Sequence, residues 1–229
     1  MDLRKAVDRI NKNGVLLVYP INNKSEPNSL WQELHPRKKM RWEWDSGGDQ
    51  SVSDLWFMRE RLSISGKVVY AKWYQGRATF FSVELFTAIL RVFQEEGFYQ
   101  QGLKRTARDV LEVLEENSPL STKQLKKATE LTGKENESLY TRSLKELWNR
   151  FIIVAYGEVD EGAFPSLAVG ATRVIFEDIW AKSAELDLKK AKATIDKYMP
   201  ADSLFRKYFD KTVKAMQKQH VFEEPDLEL

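Results

Sequence analysis

Two groups of side chains in this sequence have the types and spacing for chemistry. The first is the run Trp42, Glu43, Trp44, Asp45, followed along the chain by Asp54, Trp56, Tyr70, Trp73 and Tyr74. Aromatic rings beside a carboxylate could wall a pocket that stacks an extruded base, with Trp42, Trp44 and Trp73 as walls and Glu43 or Asp45 activating water. The plainer alternative is that these rings pack a core, the commoner use of tryptophan in short strands and helices. An acid between two buried rings would be desolvated, which favours some use for Glu43 or Asp45.

The second group is a series of donors along two adjoining helical patterns. Lys123, Lys126 and Lys127 lie on the first; Lys134, Asn136, Tyr140, Thr141, Arg142, Lys145 and Arg150 lie on or beside the second. Lys123, Lys126 and Arg150 could clamp phosphates, while Lys134, Asn136, Tyr140, Thr141, Arg142 and Lys145 could present donors to base edges in a groove. Glu135, Glu137 and Glu146 are interleaved with them, so an ordinary solvated helix face is the alternative.

Composition removes other chemistries. The absence of cysteine excludes disulfides, thiolate metal sites and cysteine nucleophiles, and points to the cytoplasm. His35 and His220 lie far apart, without ligand spacing to carboxylates, and no glycine-rich phosphate loop or serine-centred elbow occurs, so neither metal nor cofactor is expected. With 36 basic against 34 acidic residues the formal charge is only +2, so any electrostatic footprint must be local. The first residues run into an amphipathic pattern instead of a signal sequence, and no apolar run approaches a membrane span, so neither export by that route nor a membrane partner is expected.

The elements that must position these groups follow from periodicity. Residues 2 to 12 read as a helix stopped at Asn13-Gly14, then a strand from Val15 to Tyr19 and a short helix around Leu30, Trp31 and Leu34. A short strand is expected around Trp42 and Trp44, a helix from Ser53, a hairpin from Lys67 to Phe81 and a helix capped by Ser82. The polar stretch 94 to 102 reads as a linker. Beyond it come a helix from Leu103 to Asn117, a short helix opened by the box Ser121-Thr122-Lys123-Gln124, and a third helix behind the box Thr132-Gly133-Lys134-Glu135. Strands are expected at Phe151 to Tyr156 and Thr172 to Phe176, flanking a loop from Gly157 to Gly170.

Three helices followed by two strands around a loop is the order of a winged helix-turn-helix, whose third helix enters the major groove. Glu158, Asp160 and Glu161 in the loop would repel phosphate, which leaves a protein-interaction module as a further alternative. The fold class read from the sequence is α+β: an N-terminal α/β domain over 1–98, a winged helix over 103–180, and a C-terminal helical extension with an acidic tail over 184–229.

The phrases Ser118 to Lys127, Leu131 to Ser138 and Leu144 to Leu147 resemble the winged-helix segment of the AlkZ-related proteins, a branch of the AlkZ/YcaQ-like superfamily. Trp42-Glu43-Trp44-Asp45, Val68 to Lys72 and Phe80 to Leu85 resemble that branch too. The resemblance implies a protein of winged-helix units, related to bacterial DNA glycosylases that excise crosslinked or alkylated bases. Active members carry Gln-x-Gln or Gln-x-Asp in the N-terminal half. This chain has such letters only at Gln217-x-Gln219, so no catalytic role is carried over. The resulting expectation is a non-catalytic binder of double-stranded DNA, with a protein partner or homodimer also open. The enzyme alternative is a glycosylase-like hydrolase.

Overall fold

The computed structural model describes residues 2–41, 50–99, 101–159 and 165–221. Helix α1 (Leu3–Asn13) starts where the Asp2 carboxylate accepts from the Arg4 amide, and it turns Ala6, Val7 and Ile10 inward. It stops at Gly14, whose φ of 75° suits glycine, and a Cβ there would lie 2.3 Å from the Tyr198 ring. Strand β1 (Val15–Leu17), helix α2 (Leu30–Leu34) and helix α3 (Gln50–Ser63) follow. Strands β2 (Val68–Lys72) and β3 (Ala78–Ser82) form the expected hairpin, joined through a 3-10 turn at Tyr74–Gly76. The Ser82 hydroxyl accepts from the Leu85 amide and opens α4 (Val83–Glu95).

Alternation along β3 explains why the hairpin is covered on both sides. Phe80 sits opposite Tyr70 in register, with the two rings 5.1 Å apart, and Arg59 of α3 reaches the Tyr70 hydroxyl on that face. The next residue, Phe81, points the other way and meets Phe86 of α4 at 6.1 Å. Helices therefore lie on both faces of the sheet, and its strands read as continuous apolar runs.

In the second half, α5 (Arg105–Asn117), β4 (Leu120–Ser121), α6 (Thr122–Ala128), a 3-10 turn (Lys134–Asn136) and α7 (Glu137–Asn149) precede β5 (Ile153–Val159) and β6 (Ser166–Ala171). The capping box of α6 is complete: Ser121 accepts from the Gln124 amide and Gln124 accepts from the Ser121 amide. The second expected box does not form at Thr132. The 3-10 turn intervenes, and the Asn136 amide donates 2.8 Å to the Thr132 carbonyl before α7 begins.

The second of the two expected later strands lies earlier than the sequence suggests. Ile153 pairs with Ala171 and Ala155 with Val169, while Thr172–Ile175, expected as strand, is the short helix α8. Thr172 explains the change: its amide donates to Ile152 and its hydroxyl to Phe151, which turns the chain out of the sheet despite its β-branched composition. Small residues in β6 are required by packing, since a Cβ on Gly170 would lie 2.4 Å from Ile175.

The strands among the described residues belong to one sheet in the order β1-β3-β2-β5-β6-β4, each neighbouring pair antiparallel. Tyr70 opposite Ala155 joins the N-terminal hairpin to the later strands. The stretch expected as a linker is built into the fold, with Phe98 buried and its ring 5.5 Å from that of Phe93 on α4. Helices α9 (Glu177–Glu185) and α10 (Leu188–Tyr198) pack on α4. Helix α11 (Leu204–Val221) closes the fold by placing Phe205 near Trp73 and stacking Phe209 on Phe93.

Candidate nucleic-acid interface

Helical spacing decides which α7 donors are usable. Tyr140, Ser143, Leu147 and Trp148 face inward, so Thr141, Arg142 and Lys145 are left exposed on the opposite side. Tyr140, expected among the exposed donors, is 3% exposed and donates its hydroxyl to the Thr122 carbonyl at 3.1 Å. Burial pushes its phenol up. Lys126 lies 4.9 Å from the centre of the Tyr140 ring and pairs with Glu137, so it braces α6 against α7. Lys123, Lys127 and Lys134 are exposed, and Asn136 is engaged at the entrance to α7.

Arg150, expected as a phosphate clamp, is turned inward. It is 1% exposed, and its guanidinium donates to the carbonyls of Phe98 and Gln101, both at 2.8 Å, and of Gly102 at 3.0 Å, with Glu146 beside it. A planar fork with several donors suits a chain segment whose carbonyls converge, and here it fastens residues 98–102 to the end of α7.

Above that fastening lies a groove of about 600 Å³ between the start of α5, the exposed side of α7 and α11. Lys104 and Arg105 border one end, Arg142 and Lys145 form one wall, and Lys211 stands on the other. Leu139, Tyr208 and Met216 line it as well. Its acid, Glu146, is paired with Arg150. The groove therefore presents unopposed positive charge over a partly apolar lining, a form suited to a polyanion.

The aromatic group does not converge on an open pocket among the described residues. Trp73 is fully buried, 5.4 Å from Phe81, 5.5 Å from Phe151 and 5.1 Å from Tyr208, so it is core and not a pocket wall. Trp42, Glu43, Trp44 and Asp45 lie outside the described residues. Trp56 covers the Arg59 guanidinium at 4.0 Å. Arg59 in turn binds Glu158 and the Tyr70 hydroxyl, in a cluster that fixes α3 to β2 and β5. Desolvation raises the Tyr70 phenol in spite of the neighbouring guanidinium. Glu158, expected to repel phosphate, is neutralised by this pairing; Asp160 and Glu161 lie outside the described residues.

The model of the family described as AlkZ related matches residues 2–218. The chain belongs to the AlkZ-related family. Searches of curated proteins and of solved structures found no match. In this AlkZ-related protein the matched span contains the whole sheet and every residue that borders the groove. Gln217 of the Gln-x-Gln letters belongs to α11. Among the described residues no helix is long and apolar enough to cross a membrane, and no cluster of three or more metal-ligating side chains occurs.

Arg142 and Lys145, on one wall of the groove, are legible in the sequence, and the rest of the basic lining is not. Lys104 and Arg105 at the start of α5 and Lys211 on α11 come from two segments that only the tertiary fold brings together with α7. A local signal existed in α11, where lysines recur opposite Phe205, Phe209 and Met216, but it reads equally as an ordinary solvated face.

Proposed function

We propose that residues 103–180 of this AlkZ-related protein act as a winged helix that binds double-stranded DNA without cutting it. The order α5, β4, α6, α7, β5, β6, with β4, β6 and β5 adjacent in one antiparallel sheet, supports the winged-helix reading. The observation that carries it is the exposure of Arg142 and Lys145, side by side on α7 and opening onto the basic groove. Helix α7 then approaches the duplex with Thr141, Arg142 and Lys145, while Lys123, Lys127 and Lys134 contact flanking phosphates. The segments 1–98 and 184–229 serve as the platform that holds α7 in place.

Family membership favours a role connected with DNA damage, and the lack of cysteine accords with the cytoplasm. The non-catalytic part of the reading rests on the resemblance: the Gln-x-Gln letters occur in α11, away from the N-terminal half where active members carry their polar pair.

The test is fluorescence anisotropy on a labelled duplex, undamaged and alkylated, across a salt series. Wild type should bind with a steep salt dependence. Replacing Arg142 and Lys145 by Gln should lower the slope of log K against log salt by about 2, about one for each phosphate charge no longer neutralised. No binding at low salt, or a slope unmoved by the double substitution, overturns the reading.

A further inference from the structure

Helix α11 carries lysines at 207, 211, 214 and 218, a spacing of four, three and four that places them along one helical face. All four are exposed, and none has an ion-pair partner among the described residues. The acid on this face, Asp210, is already bound by the Arg206 guanidinium at 2.9 Å, and Arg206 is bound also by Asp196 at 2.6 Å. The lysine stripe is thus not balanced by its own helix. At 1.5 Å rise per residue it extends for about 16 Å.

The stripe is held rigidly. Phe205, Phe209 and Met216 on the opposite face are buried, and Phe205 and Tyr208 pack against Tyr74 and Trp73 of the N-terminal half. It is also continuous with the groove beside α7: Lys211 and Ala215 border both that groove and a second concavity lined by Lys207, Lys214 and Lys218. A fixed row of like charges at the rim of a basic groove costs stability through mutual repulsion unless a polyanion lies on it.

We propose that α11 is a second DNA-binding wall: the phosphate backbone of the duplex that α7 contacts runs along Lys207, Lys211, Lys214 and Lys218. The proposal rests on the duplex-binding reading above, but it concerns a separate element outside the winged-helix segment. It makes the site a two-sided channel in which α7 faces the groove of the duplex and α11 tracks phosphates. Contacts of this kind add affinity and register without reading sequence.

The test uses the full-length chain with all four α11 lysines changed to Gln, a substitution that keeps helix propensity and removes charge. A second variant changes Lys182, Lys189, Lys190 and Lys192 to Gln, the same charge difference on α9 and α10, away from the groove. A third changes Arg142 and Lys145 to Gln. Salt titrations on a labelled duplex are compared after circular dichroism has shown equal helix content. The α11 variant should lose about 3.6 from the salt slope, about 0.9 per lysine, with the α9–α10 variant close to wild type. An α11 variant that matches the α9–α10 variant overturns the proposal, and the duplex-binding reading stands if the α7 variant still loses slope. Loss in the α11 variant with none in the α7 variant overturns the α7 reading, and the two-sided channel with it. Absence of wild-type binding overturns both.

Discussion

Single side chains here separate structural from binding roles, and burial decides between them. Arg150 and Arg142 are both arginines of the α7 segment, yet one is bound to three backbone carbonyls and the other is exposed at the groove. Replacing Arg150 by Met leaves those carbonyls without their donor, and the chain should lose about 3 kcal/mol or more of stability, read as a lower urea midpoint. Replacing Arg142 by Gln should leave the midpoint within about 0.5 kcal/mol and reduce DNA affinity instead. Glu158→Gln removes the partner of buried Arg59 and should destabilise by about 3 kcal/mol, because a buried charge is left uncompensated. The types and positions of these residues were legible in the sequence; which arginine turns inward was not, because the carbonyls that Arg150 binds lie almost fifty residues away along the chain.

At the scale of elements, local rules performed well where a cap or an amphipathic period was present. Ser82 and Ser121 each cap the helix expected of them, although the box expected at Thr132 does not form. They failed where tertiary pairing overrode composition, as in β6, whose alanines and glycine pair with β5 while the β-branched Thr172–Ile175 turns helical. The docking of α10 was equally hidden, since it depends on Gly14 admitting the Tyr198 ring. Gly14→Ala meets both that ring and a left-handed backbone, and a loss of at least about 1 kcal/mol is expected in a thermal melt. The same docking has a pH signature. The Tyr198 hydroxyl, followed by Lys197, holds the Glu84 carboxyl below its ordinary value. A carboxyl lowered on folding contributes stability that is present above its unfolded pKa and lost as pH falls through the folded one. Tyr198→Phe should therefore flatten the acid limb of the stability curve between about pH 5 and pH 3, by less than about 1 kcal/mol because the group is largely exposed.

For the whole molecule, the α+β class could be read from periodicity, but the union of the strands into one sheet could not. The pairing of Tyr70 with Ala155 joins strands separated by α4, α5, α6 and α7, and no local pattern announces it. The groove shares this origin, because α5, α7 and α11 meet only once that sheet is formed and α11 is anchored on Trp73 and Phe93. Its charge is correspondingly local, in a chain whose formal total is only +2. Whether that groove binds DNA is measured most directly by the salt dependence of binding to a labelled duplex by wild type and by the Arg142→Gln, Lys145→Gln variant. Binding at the groove predicts steep wild-type dependence and a slope about 2 lower in the variant; wild type that does not bind at low salt, or a variant with an unchanged slope, contradicts it.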